Sequence, residues 1–95
     1  MDMIDIERSA RPTTIKDLKG LVVSRTVVLP DQLKKVAQFA FERPEEMAFG
    51  TIKSISVSCG VAPQTVLRLA HAFGFNCFRD FKALFRAHLR NIAID

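Results

Sequence analysis

Ninety-five residues, 48% apolar and 25% charged, set the scale of one small globular domain. The net charge of +4 is unevenly placed: residues 51–94 hold six Lys and Arg against one acid, Asp80, while residues 1–50 balance. No apolar run approaches the roughly 20 residues of a bilayer span, the acidic N-terminus MDMIDIERSA lacks a secretory core, and two cysteines make no disulfide framework, so a cytoplasmic protein is expected.

Residues 1–12 are polar, mixed in charge and end in Arg11-Pro12, which predicts a flexible tail ahead of a single domain over 13–95. Thr13 or Thr14 can cap a first helix over 14–25, with Ile15, Leu18, Leu21 and Val22 as its apolar stripe. The β-branched run Val22, Val23, Thr26, Val27 and Val28 competes for a short extended segment. A second helix starts with Pro30 at its first position and Asp31 at the positive end of the dipole, and runs through Leu33, Val36, Ala37, Ala40 and Phe41. It stops before Pro44, whose ring excludes the helical conformation from the residue ahead of it. One further turn fits Pro44 to Met47, and Gly50 ends it.

Thr51 caps a third helix over 52–58, and Gly60 suits the left-handed turn that closes it. A fourth helix over 63–73 opens at Pro63 behind a weak cap, Ala62, and ends at Gly74. Asn76 caps a fifth over 77–91, with Phe78, Phe81, Phe85 and Leu89 on one side and Arg79, Lys82, Arg86 and Arg90 on another. The phenylalanines at 73, 75, 78, 81 and 85 could stack bases, but helical spacing favours a core. The sum is an all-α bundle of about five helices with a homeodomain-like three-helix core.

The stretch 51–74, TIKSISVSCGVAPQTVLRLAHAFG, has the layout of a helix-turn-helix. Ile55, Ser56, Cys59, Val61, Val66, Leu69 and Phe73 are its inward positions, and both Cys59 and Cys77 are read as small core residues. Gln64 lies in the first turn of the second motif helix, where an amide can pair with adenine N6 and N7. Arg68 lies one turn on and can read guanine or clamp a phosphate, and Pro63 can touch a thymine methyl. Thr51, Lys53, Thr65 and His71 are candidate phosphate contacts. The bland alternatives are solvated helix residues, a surface ion pair for Arg68 and a local cap for Thr65. Two histidines without cysteine or carboxylate at ligand spacing do not suggest a metal, and no cofactor loop or catalytic pair stands out, so no enzyme is expected.

From Leu29 to Leu89 the chain resembles the N-terminal helix-turn-helix domain of the RpiR family of bacterial transcription regulators. The resemblance is carried by Val36-Ala37, Pro44, Thr51-Ile52, Ile55, Cys59-Gly60-Val61, Thr65-Val66, Arg68 and Phe73-Gly74-Phe75, and above all by Phe78-x-x-Phe81-Lys82. CGVAPQTVLR also looks like the turn and recognition helix of LacI-type repressors, over about ten residues. The RpiR resemblance implies operator binding as a homodimer. It implies a phosphosugar effector only if a C-terminal sugar isomerase-like domain exists outside these residues. The chain departs from the family at Ala62, where Ser is usual, and at Cys77, where Gly is usual.

The expected function is therefore sequence-specific binding of double-stranded DNA in transcription regulation, of sugar or phosphosugar genes by the resemblance. The rival is a helical protein–protein interaction module, docking through the first helix and Val22–Val28.

Overall fold

A computed structural model describes residues 12–94. They form six helices: α1 Ile15–Val23, α2 Asp31–Glu42, α3 Pro44–Phe49, α4 Ile52–Cys59, α5 Pro63–Ala72 and α6 Phe78–Ile94. There is no strand among the described residues, so the all-α expectation holds. The tail expected at 1–12 lies outside them except for Pro12, which is buried and belongs to the packed domain.

α1 starts where a reciprocal cap forms. The Thr14 hydroxyl accepts from the Asp17 N–H at 3.1 Å, and the Asp17 carboxylate accepts from both the N–H and the hydroxyl of Thr13 at 3.2 Å. The Thr13 backbone N–H is the main reason the Asp17 carboxyl sits below its ordinary range. α1 ends two residues earlier than expected, because Arg25 takes a left-handed φ of 63°. The Arg25 N–H then bonds the Val22 carbonyl at 3.2 Å and Val27 N–H reaches Leu21 at 3.1 Å. The valine run is therefore folded back as a turn and not extended as a strand: the backbone partners a strand needs are taken by the end of α1.

Pro30 is the cap of α2 and not its first residue. Its ψ of 162° is extended, while its carbonyl already accepts from Lys34 N–H at 2.9 Å. Arg43, at φ −132° and ψ 67°, breaks the chain between α2 and α3, and Pro44 opens a helix of six residues where one turn is expected. At α6 the cap position falls to Cys77, whose carbonyl accepts from Phe81 N–H at 3.4 Å, and not to Asn76. Cys77 is consequently exposed, against the expectation of a core residue, and Cys59 is half-buried. Burial pushes the Cys59 thiol above its ordinary pKa.

α2, α4 and α5 pack on one another as a three-helix core, and α6 lies against α3, α1 and α5. Val36, Ala40, Ile55, Val66 and Leu69 fill the first unit, each at 1% exposure or less. Phe81 is the centre of the second. Its ring sits 6.0 Å from Phe73, 5.5 Å from Phe75, 6.5 Å from Phe78 and 5.2 Å from Phe85. Such pairs add about 0.5–1.5 kcal/mol each beyond burial. All five phenylalanines are buried, so they form a core and no base-stacking platform. Among the described residues no helix is long and apolar enough to cross a membrane.

Candidate nucleic-acid interface

The interface is built on the turn between α4 and α5. Gly60 adopts φ 69°, which an L side chain rarely takes. Gly60 N–H bonds the Val57 carbonyl at 3.2 Å and Val61 N–H bonds the Ser56 carbonyl at 3.0 Å, satisfying two otherwise orphan carbonyls of α4. The same paired bonds end α5, from Gly74 to His71 at 2.9 Å and from Phe75 to Ala70 at 3.0 Å. Both ends of α5 are thus held, and the helix is presented at a set angle to α4. Ser56, only 3% exposed, is small enough for the close approach and donates its hydroxyl to the Lys53 carbonyl at 2.7 Å.

α5 divides cleanly. Val66, Leu69 and Ala70 are fully buried, whereas Pro63, Gln64, Arg68 and His71 are exposed. Gln64, Arg68 and His71 stand four and then three residues apart, so they line one side of the helix over about 10 Å at 1.5 Å per residue. Thr65 lies on the buried side at 9% exposure, next to Val66, and has little surface to offer a phosphate. Its N–H closes the first turn of α5 on the Ala62 carbonyl at 2.9 Å.

Thr51 and Lys53 are exposed at the start of α4. Here the structure shows a device that sequence reading missed. The Thr51 hydroxyl accepts from Ser54 N–H at 3.0 Å, and the Ser54 hydroxyl accepts from Thr51 N–H at 2.9 Å. A capping box is usually sought as Thr followed three residues on by Glu or Gln, so Ser54 gives a weak signal. Because the Thr51 oxygen serves as an acceptor, its own proton stays available to an anion.

A second missed element lies on α6. Arg86 donates from Nε to the carbonyl of Ala48 at 3.0 Å and sits 5.9 Å from the centre of the Phe49 ring. That ties the basic side of α6 to the end of α3, just ahead of Thr51. Lys82, one turn earlier, lies 5.7 Å from the Phe78 ring. Its amine is held below the ordinary lysine range by burial and then by the Arg86 charge. No cluster of His, Cys, Asp or Glu among the described residues has the makings of a metal site.

The model of the helix-turn-helix domain of the rpiR family matches residues 18–91, which include all six helices in whole or part. The chain belongs to the RpiR family. No curated protein and no solved structure matches it significantly. Membership of the RpiR family makes it a helix-turn-helix domain of a DNA-binding, transcription-regulating type. The match runs past the motif into α6, so the phenylalanine core that follows α5 lies within the matched residues.

Proposed function

We propose that this RpiR domain binds double-stranded DNA sequence-specifically, with α5 in the major groove, and that it regulates genes of sugar or phosphosugar metabolism in the cytoplasm. The observation that carries the reading is the exposed row Gln64, Arg68 and His71 on a helix whose opposite side is sealed in the core. Side chains excluded from the core at a helix-turn-helix are the ones aimed at base edges. Gln64 and Arg68 read bases, with Pro63 against a thymine methyl. Thr51, Lys53 and His71 hold phosphates and set the register. Thr65, the fourth phosphate candidate, is the weakest, since it is buried. Operator binding takes a homodimer, and any phosphosugar effector acts through a C-terminal sugar isomerase-like domain beyond these residues.

Selection from random duplex DNA, followed by titration of variants, tests the reading. Gln64→Ala or Arg68→Ala is expected to cost about 1–3 kcal/mol on the selected site and to flatten preference at one or two base pairs. If both leave the ratio of selected to scrambled duplex intact, α5 is not the reader.

A second reading is a protein-docking module. It is favoured by Val23 and Val28, which are 83% and 76% exposed beside an apolar groove of about 320 Å³ lined by Val22, Leu29, Ala37 and Phe41. Added salt separates the two, because DNA binding weakens steeply with salt and apolar docking does not.

A further inference from the structure

α6 gathers like charge beside the end of α3. Lys82 and Arg86 are four residues apart, hence neighbours on one side of the helix. The Arg86 guanidinium has five N–H donors, and the bond to Ala48 engages Nε alone. The residue is exposed, and among the described residues no hydrogen bond from its terminal nitrogens accompanies the one from Nε. That bond and the Phe49 ring hold the fork in place before any ligand arrives, which lowers the ordering entropy lost on binding. Lys82 is half-buried over Phe78 and repelled by Arg86. A pair of cations held together against their repulsion is relieved by an anion between them.

The position of the pair decides which anion. Ala48 and Phe49 are the last residues of α3, and only Gly50 separates them from Thr51, the cap of α4. The Arg86 anchor, Ala48, is therefore three residues in sequence from Thr51 and five from Lys53, the two residues proposed above to hold the DNA backbone. Glu46 of α3 pairs with Arg43 at 2.9 Å.

We propose that Lys82 and Arg86 clamp a DNA phosphate flanking the one held at the start of α4, so that the footprint extends beyond the base pairs read by α5. The clamp rests on the reading that α5 enters the major groove. It adds affinity and register without base preference, because a phosphate is the same at every position.

Lys82 is the residue to test, because it caps nothing. The intact chain is titrated against two selected duplexes, one covering only the base pairs read by α5 and one longer by about half a helical turn at each end, roughly five base pairs. On the longer duplex, Lys82→Gln is expected to lower the salt slope by about one, so that the affinity lost between about 50 and 200 mM salt shrinks roughly threefold. On the shorter duplex it should change nothing. Arg86→Lys, which keeps the charge but loses the fork, should weaken the longer duplex only, with the thermal midpoint followed alongside. The ratio of selected to scrambled sequence should stay unchanged in both variants.

The clamp is overturned if Lys82→Gln leaves affinity and slope on both duplexes as in the parent while Gln64→Ala still destroys preference; the α5 reading then survives alone. It is equally overturned if inorganic phosphate shifts the Arg86 Nε resonance while the longer duplex does not, which marks a free-anion site. Absence of binding by the parent chain to any selected duplex removes the α5 reading and the clamp with it.

Discussion

The Arg86 guanidinium on α6 donates from Nε to the Ala48 carbonyl oxygen on α3 at 3.0 Å, across 38 residues of sequence. The acceptor lies in the last turn of a short helix, where carbonyls lack intrahelical partners and a cation is favoured. Arg86→Ala is therefore expected to destabilise the domain by about 1–2 kcal/mol, from the lost charged hydrogen bond and the lost contact with Phe49. Arg86→Lys should recover only part of this. Urea unfolding monitored by circular dichroism measures both, and equal stability of all three proteins would mean that the bond contributes nothing in solution.

Gly60 and Gly50 separate two reasons for glycine. At Gly60 an added Cβ meets nothing within 4 Å, but φ is +69°. Gly60→Val should cost about 1–2 kcal/mol through backbone strain alone, and Gly60→Asn distinctly less. At Gly50 φ is an ordinary −81°, yet an added Cβ would lie 2.5 Å from the Glu46 carbonyl oxygen and 3.0 Å from the Ser54 hydroxyl. Gly50→Ala should cost about 1–3 kcal/mol by crowding. Thermal unfolding of the three variants gives the order, and an unshifted midpoint for Gly60→Val would place the turn elsewhere.

Ala62 caps α5 with the extended backbone a cap requires, φ −70° and ψ 149°, but with no side-chain hydrogen bond. It is exposed, so a hydroxyl fits without repacking. Ala62→Ser is expected to stabilise the domain by about 1 kcal/mol by supplying an acceptor to the first turn. A raised midpoint in thermal unfolding, with the fold unchanged, is the predicted result; a lowered one would show that the Ala62 geometry does not suit a capping side chain.

Self-association is expected through the end of α1 and the turn that follows. Two half-sites one helical turn apart need recognition helices about 34 Å apart, so a monomer should hold a palindrome weakly. Deleting everything before Leu29 does not test this cleanly, because Ile15 and Leu18 on α1 are core residues at 7% and 0% exposure. Val23→Asp and Val28→Asp alter only exposed side chains. Sedimentation velocity with and without operator should show a dimer for the parent and a monomer for the double variant. A monomeric parent in both conditions would end the dimer proposal.

Local rules carried the reading a long way. Hydrophobic spacing placed α2, α4, α5 and most of α6, because each buries one side against neighbours that spacing alone identifies. Proline at 44 and 63 and glycine at 60 marked the breaks, since their backbone limits travel with the residue. Gln64, Thr65, Arg68 and His71 read as one exposed row because Val66 and Leu69 had to be buried opposite them; the structure keeps Gln64, Arg68 and His71 exposed and buries Thr65. Tertiary structure decided the rest. Whether Val22–Val28 pairs as a strand or turns back depends on Arg25 taking a strained conformation, which its residue type disfavours. Thr65 is polar, yet it lies beside Val66 within the packed face of α5, so its burial depends on how α5 seats on α2 and α4. The bond from Arg86 to Ala48 joins residues whose nearness exists only once α3 lies on α6, and no pattern within either helix records it.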